Sequence, residues 1–291
     1  MIRTHRLTPY LFVAPMIALL IFIFGYPIVR IFEFSFKQVR GIDGPWVGLR
    51  NYELVLNQPL FGEAVMHNLQ LLLAVPILIF ISLLVSVMLY ERVAGWRLYR
   101  TIVFIPYILA VPIVAVVLKN VFQFNGPLNT ALRSVGLDAL ALDWIGAPSV
   151  ALWTVMMVII WREAGFGIVL FLSRLLSLDE EILEAAELDG ANWWQRLFRV
   201  ILPQMRGVVE FYAVISVITM LAAVFSYIYM IGRGGPGTST MVIELYIFNF
   251  LTRNSLPGVA SAVSVMLFLA SVVLIFILFR LRSNAMEADL A

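Results

Sequence analysis

Six long apolar runs divide the chain and set the strongest limit on its fold. Each run holds about 20 residues or more, which is enough for a helix to cross a ~30 Å hydrocarbon core. Lipid offers no hydrogen bonds to backbone groups, so such segments form helices that satisfy their own N–H and C=O groups. We therefore predict an all-α membrane protein with six transmembrane helices. The predicted spans are about 10–32, 67–90, 102–121, 149–172, 208–231 and 259–279.

The composition independently indicates a membrane protein. Apolar residues make up 62% of the chain and charged residues only 13%, a balance that soluble domains do not have. The formal charge of +2 and the dispersed basic residues predict no nucleic-acid partner. The chain has no cysteine, and His5 and His67 are far apart in the sequence. We therefore expect neither disulfides nor a metal site.

The basic residues predict the orientation. Arg3, His5 and Arg6 precede the first run and could belong to a signal peptide, but the run is too long and has no small-residue cleavage pattern. An uncleaved first span is favoured. With the N-terminus inside, the inner segments hold eleven Lys and Arg residues and the outer segments six. This bias predicts cytoplasmic N- and C-termini in the cell membrane.

One long polar stretch, residues 173–207 (the polar segment), interrupts the apolar pattern and falls on the cytoplasmic side. Ser177 with Glu180 predicts a capping box for a first short helix, which Gly190 would end in a left-handed turn. Asn192 with Gln195 predicts a cap for a second helix. The expected apolar stripe of that helix is Trp194, Leu197, Phe198 and Ile201, and Pro203 is expected to limit it.

The polar segment resembles the EAA motif of permease subunits of binding-protein-dependent ABC importers. The matching residues are Glu184, Ala185, Ala186, Asp189, Gly190, Ala191, Phe198, Ile201, Leu202 and Pro203. The resemblance implies the type I ABC importer permease fold, with residues 1–291 as one transmembrane permease domain. It also implies that these residues, apart from Ile201 and Leu202, form a coupling helix and its supports, which sit in a cleft of a cytoplasmic ATPase. The alternative is an ordinary surface loop between two spans.

Other stretches resemble the carbohydrate branch of that family, the maltose and glycerol-3-phosphate type. They are Val47–Tyr52 with Phe61, Arg100-Thr101, Pro106-Tyr107, Asn125–Asn129 and Gly234-Gly235-Pro236. Asn68-Leu69 stands where the family often has Asn-Thr, and Lys119 stands near a common tryptophan. The resemblance implies import of a sugar, an oligosaccharide or a polyol phosphate, and it does not decide among them.

The resemblance also implies the partners. They are a second permease subunit, identical or related, an ATPase dimer, an extracytoplasmic solute-binding protein and membrane lipid. ATP and Mg would bind to the ATPase, so this chain is expected to be a transport subunit without a cofactor or a catalytic residue of its own.

Arg162 and Glu163 are charges near the middle of the fourth span. A charge at that depth costs roughly 2.5–3.5 kcal/mol on insertion scales, so the pair should face the protein interior or a wet cavity. Arginine, carboxylate and aromatic rings suit a polyhydroxylated solute. The candidate substrate-path residues are Trp161, Arg162, Glu163, Phe166 and Tyr227. A structural ion pair and a contact to the partner permease remain alternatives.

Nucleotide binding and two other functional classes fit less well. The loop Gly232–Gly237 has the glycine spacing of a phosphate-binding loop but lacks its lysine. An intramembrane enzyme would need a Ser/His pair, a His-rich motif or a carboxylate dyad inside the spans, and the sequence offers none of these. A channel or an ion-driven carrier would need no surface for an ATPase.

Overall fold

The computed structural model describes residues 8–91 and 94–288, and these residues form a helical protein. The helices are α1 (Thr8–Leu20), α2 (Tyr26–Ser35), α3 (Arg50–Leu56), α4 (Pro59–Leu71), α5 (Ala74–Tyr90), α6 (Trp96–Ile108), α7 (Val111–Val121), α8 (Pro127–Ser134), α9 (Pro148–Leu175), α10 (Glu180–Leu188), α11 (Trp193–Gln195), α12 (Leu202–Gln204), α13 (Arg206–Ala222), α14 (Phe225–Ile231), α15 (Ile243–Thr252) and α16 (Pro257–Ala288). Within this described part no strand forms beyond two isolated bridges. The all-α prediction is confirmed. Arg3, His5, Arg6 and Arg92 lie outside the described residues.

Four helices are long and apolar enough to cross a membrane. They are Tyr10–Ser35, Pro59–Tyr90, Pro148–Leu175 and Pro257–Leu278. Two bent helix pairs also qualify if each is counted as one span, Trp96–Ile108 with Val111–Val121 and Trp193–Gln204 with Arg206–Ala222. By length and composition the described residues therefore contain four to six spans, a range that includes the predicted six.

The third predicted span, 102–121, is broken in the middle. Helix α6 ends at Ile108, Leu109 and Ala110 are extended, and α7 leaves at 104°. Pro112 explains the break, because it has no N–H for the carbonyl of Ile108 and its ring clashes with that carbonyl in a continuous helix. The predicted span 102–121 is therefore two helices joined by an extended link, which together can still count as one span.

The fifth predicted span, 208–231, is also interrupted. Helix α13 ends at Ala222 and α14 begins at Phe225, with Ala223 leaving the helical conformation at φ −125°. At its other end α13 meets α12 at an angle of 80°. The helical chain therefore enters this span from the polar segment through a bend, and the far end of the span is a separate short helix.

The described chain divides into two compact units. The first contains the residues up to Phe61 together with Tyr246–Ala270. Its buried Asn51 donates hydrogen bonds from Nδ2 to the carbonyls of Ser35 (2.8 Å) and Lys37 (2.9 Å). Tyr52 Oη donates to Ser35 Oγ at 2.8 Å. These bonds fix α3 against the end of α2 and the first residues of the loop between them.

The second unit contains Gly62–Leu245 and Ser271–Ala291, with α9 at its centre. Helix α9 packs against α5, α6, α13 and α14. Close approach requires Gly167, because a Cβ there would lie 2.4 Å from both Ser82 Oγ and Tyr212 Cζ. Ile159 and Phe171 of α9 are fully buried. The same unit carries the polar segment at the end of α9.

Candidate functional site

The first helix of the polar segment, α10, begins one turn after α9 ends. Asp179 takes the N-cap position with extended backbone angles (φ −69°, ψ 119°). The predicted capping box from Ser177 is wrong. The Ser177 hydroxyl instead donates to the carbonyl of Arg174 at 2.7 Å and accepts from Arg174 Nη1 at 2.9 Å. Ser177 therefore closes the end of α9 rather than starting α10.

The turn between the two short helices follows the prediction. Gly190 has φ +79°, and the amides of Gly190 and Ala191 donate to the carbonyls of Glu187 and Ala186, each at 3.0 Å. These two bonds form the Schellman motif that ends a helix at a left-handed residue. Asn192 and Gln195 then form a complete capping box. Hydrogen bonds to backbone groups on both sides of the turn therefore hold its conformation.

The second helix of the polar segment presents a mixed face. Leu197 and Ile201 are buried, whereas Trp194 and Phe198 are about half-exposed and stack with ring centroids 5.9 Å apart. The chain runs through a π-helical stretch, Arg196–Ile201, and continues across Pro203 to Gln204. Pro203 therefore does not end the helix, which bends at Met205 instead.

The predicted coupling residues occupy two places on the polar segment. Glu184, Ala185, Asp189 and Gly190 are exposed, and Ala186 and Ala191 are half-buried. Glu184 lines a cavity of about 400 Å³. Phe198 and Pro203 line a different cavity of about 390 Å³ with Arg206 and Glu210. Their role in coupling stays a prediction.

Arg162 lies in α9 and reaches the break in the third span. Its Nε and Nη2 donate to the carbonyl of Leu109 at 3.2 and 3.0 Å, and Nη2 also donates to the carbonyl of Tyr107 at 3.0 Å. The last carbonyls of a helix have no partner within it, and a cation at that end is favourable. Arg162 therefore satisfies backbone groups that the break would leave unpaired.

Glu163 and Tyr227 complete the Arg162 cluster. Arg162 Nη1 donates to Glu163 Oε1 at 2.5 Å, and Tyr227 Oη donates to the same oxygen at 2.7 Å. Arg162 Nη1 also lies 3.4 Å from Tyr227 Oη. The side chains of Arg162 and Glu163 are 12% and 15% exposed. All three guanidinium nitrogens make hydrogen bonds within the protein, as a structural ion pair requires.

Two aromatic candidates lie in different surroundings. Phe166 stacks on Tyr107 with centroids 5.3 Å apart, and the Arg162 guanidinium lies 5.1 Å from the centre of that same Tyr107 ring. Trp161 is half-exposed and lines a separate apolar groove, which Ile81 and Pro106 also line. The structure thus brings Phe166 to the Arg162 cluster through Tyr107 and places Trp161 elsewhere.

The sequence interpretation missed a polar pair at the break in the fifth span. Asn68 Nδ2 donates to Glu244 Oε2 (3.2 Å) and lies 3.4 Å from the carbonyl of Met220, while Asn68 Oδ1 accepts from the amide of Ile243 (2.9 Å). Burial raises the pKa of the Glu244 carboxyl to about 7. Hydrogen bonds from its own amide, from Asn68 and from the Val224 amide lower this pKa but do not offset the burial. Helix α15, which carries Glu244, is outside the candidate spans. The signal available in the sequence was a carboxylate inside an apolar stretch.

The described residues offer little to a metal ion or a nucleotide. Among them, no group of three or more His, Asp or Glu side chains could hold a metal. In the glycine-rich loop, Gly234 has φ +92°, and a Cβ added there would lie 2.9 Å from Leu245 Cδ2 and 3.1 Å from Met241 Cε. Thr238 Oγ1 donates to Glu63 Oε2 at 2.7 Å. The glycines therefore serve a turn that packs against the protein itself.

Comparisons with known proteins give a consistent result. The family described as "Binding-protein-dependent transport system inner membrane component" matches residues 55–285. The chain is 31% identical to the lactose transport system permease protein LacF of Rhizobium radiobacter over 95% of this chain and 94% of the relative. It is 30% identical to the arabinooligosaccharides transport system permease protein AraP of Halalkalibacterium halodurans, over 92% of this chain and 85% of the relative. These relatives are permeases rather than enzymes.

The fold also has counterparts among solved structures. A chain in the crystal structure of a bacterial ABC transporter involved in the import of the acidic polysaccharide alginate superimposes with a TM-score of 0.82. The two chains are 24% identical, and the match covers 94% of each. At this level of identity the likeness establishes the fold, which is that of an ABC importer permease.

Proposed function

The chain belongs to the family of binding-protein-dependent transport system inner membrane components, and from this premise we propose that it is the membrane-spanning subunit of an ATP-driven carbohydrate importer. The two permeases compared above are named for lactose and for arabinooligosaccharides, both carbohydrates. The apolar spans suit a multi-pass membrane protein, which receives its solute from a binding protein. We propose that the N- and C-termini are cytoplasmic.

The coupling role rests on one observation, which is that hydrogen bonds hold the turn and the helix ends of the polar segment. Its exposed helix α10 ends in a Schellman motif, and a capping box starts the next helix. A segment with this hydrogen bonding can transmit force, because it keeps its shape when a partner presses on it. The residues proposed to dock on the ATPase or to support the docking helix are Glu184, Ala185, Ala186, Asp189, Gly190, Ala191, Phe198 and Pro203.

The proposed assembly has four kinds of subunit. This chain pairs with a second permease beneath an extracytoplasmic binding protein and above an ATPase dimer, which binds ATP and Mg. Closure of the dimer moves the polar segments, and the attached spans rock between inward-open and outward-open arrangements. This chain binds solute and changes conformation, while the ATPase carries out the hydrolysis.

The substrate path is proposed to pass the Arg162 cluster. Arg162 is occupied by Leu109, Tyr107 and Glu163, so its part is to hold the break in the third span and to orient the carboxylate. A carboxylate can accept about four hydrogen bonds. Arg162 and Tyr227 donate two to Glu163 Oε1, so the carboxylate has acceptor capacity for hydroxyl groups of a sugar. Phe166 would supply an aromatic face there, and Trp161, which lines a separate groove, would do so only where the path extends to that groove. A purely structural ion pair is the second interpretation, which the saturated guanidinium favours.

Copurification tests the coupling proposal. The tagged chain, expressed with the products of its own operon, should retain an ATP-hydrolysing subunit in mild detergent. Glu184→Lys should remove most of that subunit, because it reverses the charge at an exposed position of α10. The control Asp138→Lys, a charge reversal at an exposed residue far from the polar segment, should retain it. Retention of no ATPase by the native chain would instead support a channel or an ion-driven carrier.

A further inference from the structure

Glu91 is the C-cap of α5, at the end of the second span, and it contacts the polar segment. Its carboxylate accepts two hydrogen bonds from the polar segment, from Trp193 Nε1 to Oε2 at 2.9 Å and from Arg196 Nη2 to Oε1 at 3.2 Å. Glu91 is 102 residues from Trp193 in the sequence, so the contact is a tertiary one. It joins the end of α5 directly to the first turn after Asn192.

Arg196 extends this connection to α10. Its Nη1 forms an ion pair with Glu187 of α10, while Nη2 binds Glu91. The Arg196 side chain is 18% exposed, whereas those of Glu91 and Glu187 are 36% and 59% exposed, so the two ion pairs lie at the protein surface and salt will screen them. Glu91, Arg196 and Glu187 thus form a bridge, the Glu91 bridge, from α5 to α10.

The bridge crosses an open gap. A cavity of about 400 Å³ is lined by Tyr90 and Glu91 on one side and by Leu183, Glu184 and Glu187 of α10 on the other. Helix α10 packs chiefly on the π-helical stretch Arg196–Ile201. Among the described residues, Arg196 contacts both Glu91, the C-cap of α5, and Glu187 of α10, so it links the two sides of this cavity.

Helix α5 in turn packs along α9, the central helix of this unit, and against α13. A displacement of α5 would therefore reach the helices around the Arg162 cluster. The polar segment is already joined by the chain itself to α9 and α13, its neighbours in sequence. The Glu91 bridge adds a third attachment, to a span that is distant in sequence.

We propose that the Glu91 bridge carries the displacement of α10 into the second span, so that Glu91 is a positioning residue for coupling rather than part of the ATPase docking surface. This rests on the proposed function, because the displacement is the one that ATPase closure would cause. Removing Glu91 should leave α10 exposed and capped, since neither its Schellman motif nor the Asn192 capping box involves Glu91. The ATPase should then bind while α5 ceases to follow α10.

The absence of cysteine from the sequence allows a direct test with single fluorescent labels. One label is placed at Met88→Cys on an exposed position of α5 and another, in a separate sample, at Glu181→Cys on α10. The signal is the fluorescence change of the copurified assembly on addition of MgATP and vanadate. The native background should respond at both positions. Glu91→Ala should keep the response at position 181 and lose at least half of the response at position 88.

Two further variants sharpen the outcome. Asp43→Ala removes an exposed ion pair with Lys37 in the other compact unit, and it should leave both responses intact. Glu91→Gln keeps an oxygen that accepts hydrogen bonds, so its response at position 88 should fall between those of Glu91→Ala and the native protein. If Glu91→Ala does not accumulate in the membrane, Glu91→Gln decides by the same readout.

The outcomes separate the inference from the function on which it rests. A response at position 88 that equals the native one in both Glu91 variants would overturn the inference. Loss of the ATPase from Glu91→Ala would overturn it too, because Glu91 would then serve docking. Failure of the native chain to retain any ATPase, with no response at position 181, would instead refute the proposed function.

Discussion

At the scale of single residues, Arg162 and Glu163 show how a charged pair is accommodated inside an apolar helix. The sequence predicted that the two charges need partners, because an isolated charge at that depth is costly. It placed Tyr227 in the same candidate path but did not identify the backbone carbonyls of Tyr107 and Leu109, which lie 55 and 53 residues from Arg162. Pro112 explains the break that frees these carbonyls, but which helix packs beside them depends on tertiary structure.

Glu244 is the residue with the clearest prediction for pH. Burial raises its pKa from the ordinary 4.5 to about 7. Between pH 4.5 and 7 the folded protein keeps a proton that the unfolded chain releases, so the free energy of unfolding falls as pH rises through this window. Above about pH 7 the free energy of unfolding falls no further, and its total decrease is at most about 3 kcal/mol.

The glutamine of Glu244→Gln cannot ionise, so this variant should not lose unfolding free energy between pH 4.5 and 7. We expect the variant to unfold at nearly the native temperature at pH 5 and at a higher temperature at pH 8. Thermal unfolding in detergent across that range measures the difference. A difference between variant and native protein that stays constant from pH 5 to 8 would show that Glu244 does not titrate in this window.

At the scale of the elements, the polar segment was the best predicted part of the chain. Gly190 and the Asn192–Gln195 pair were placed correctly, because turn and cap chemistry is local. The start of α10 was placed wrongly, since Ser177 bonds to Arg174 at the end of α9 instead. The breaks near Leu109 and Ala223 were missed because hydropathy averages over them.

Gly190 provides a test of the turn itself. A Cβ added to Gly190 would meet nothing within 4 Å, so the cost of Gly190→Ala comes from the left-handed backbone alone, about 1–2 kcal/mol. We expect ATP-driven uptake to fall with Gly190→Ala. Gly190→Pro should abolish uptake while leaving the subunit in the membrane, because proline fixes φ near −65°.

Gly48 offers a matched control for this experiment. It also has positive φ (+60°) and open space around the added Cβ, but it belongs to the other compact unit. Gly48→Ala should therefore cost similar stability and leave uptake unchanged. Uptake at the native rate by Gly190→Pro would count against the assigned role of the turn.

At the scale of the whole molecule, hydropathy and the motif together predicted the membrane class, the helical fold and the family. The family match over residues 55–285 and the TM-score of 0.82 confirm that level of prediction. The sequence did not predict the Glu91 bridge, because Glu91 lies 102 residues from Trp193 and 105 from Arg196 and no local pattern relates them. The resemblance also left the substrate undecided among a sugar, an oligosaccharide and a polyol phosphate.

The central claim is that the polar segment is a cytoplasmic attachment point for an ATPase, and accessibility of one introduced cysteine tests it most directly. Leu188 is 89% exposed at the end of α10, and Leu188→Cys would be the sole cysteine of the chain. We expect a membrane-impermeant maleimide to label it in inside-out vesicles but not in right-side-out vesicles, and more slowly when the ATPase is bound. Rapid labelling in right-side-out vesicles would place the segment outside the cell and contradict the account.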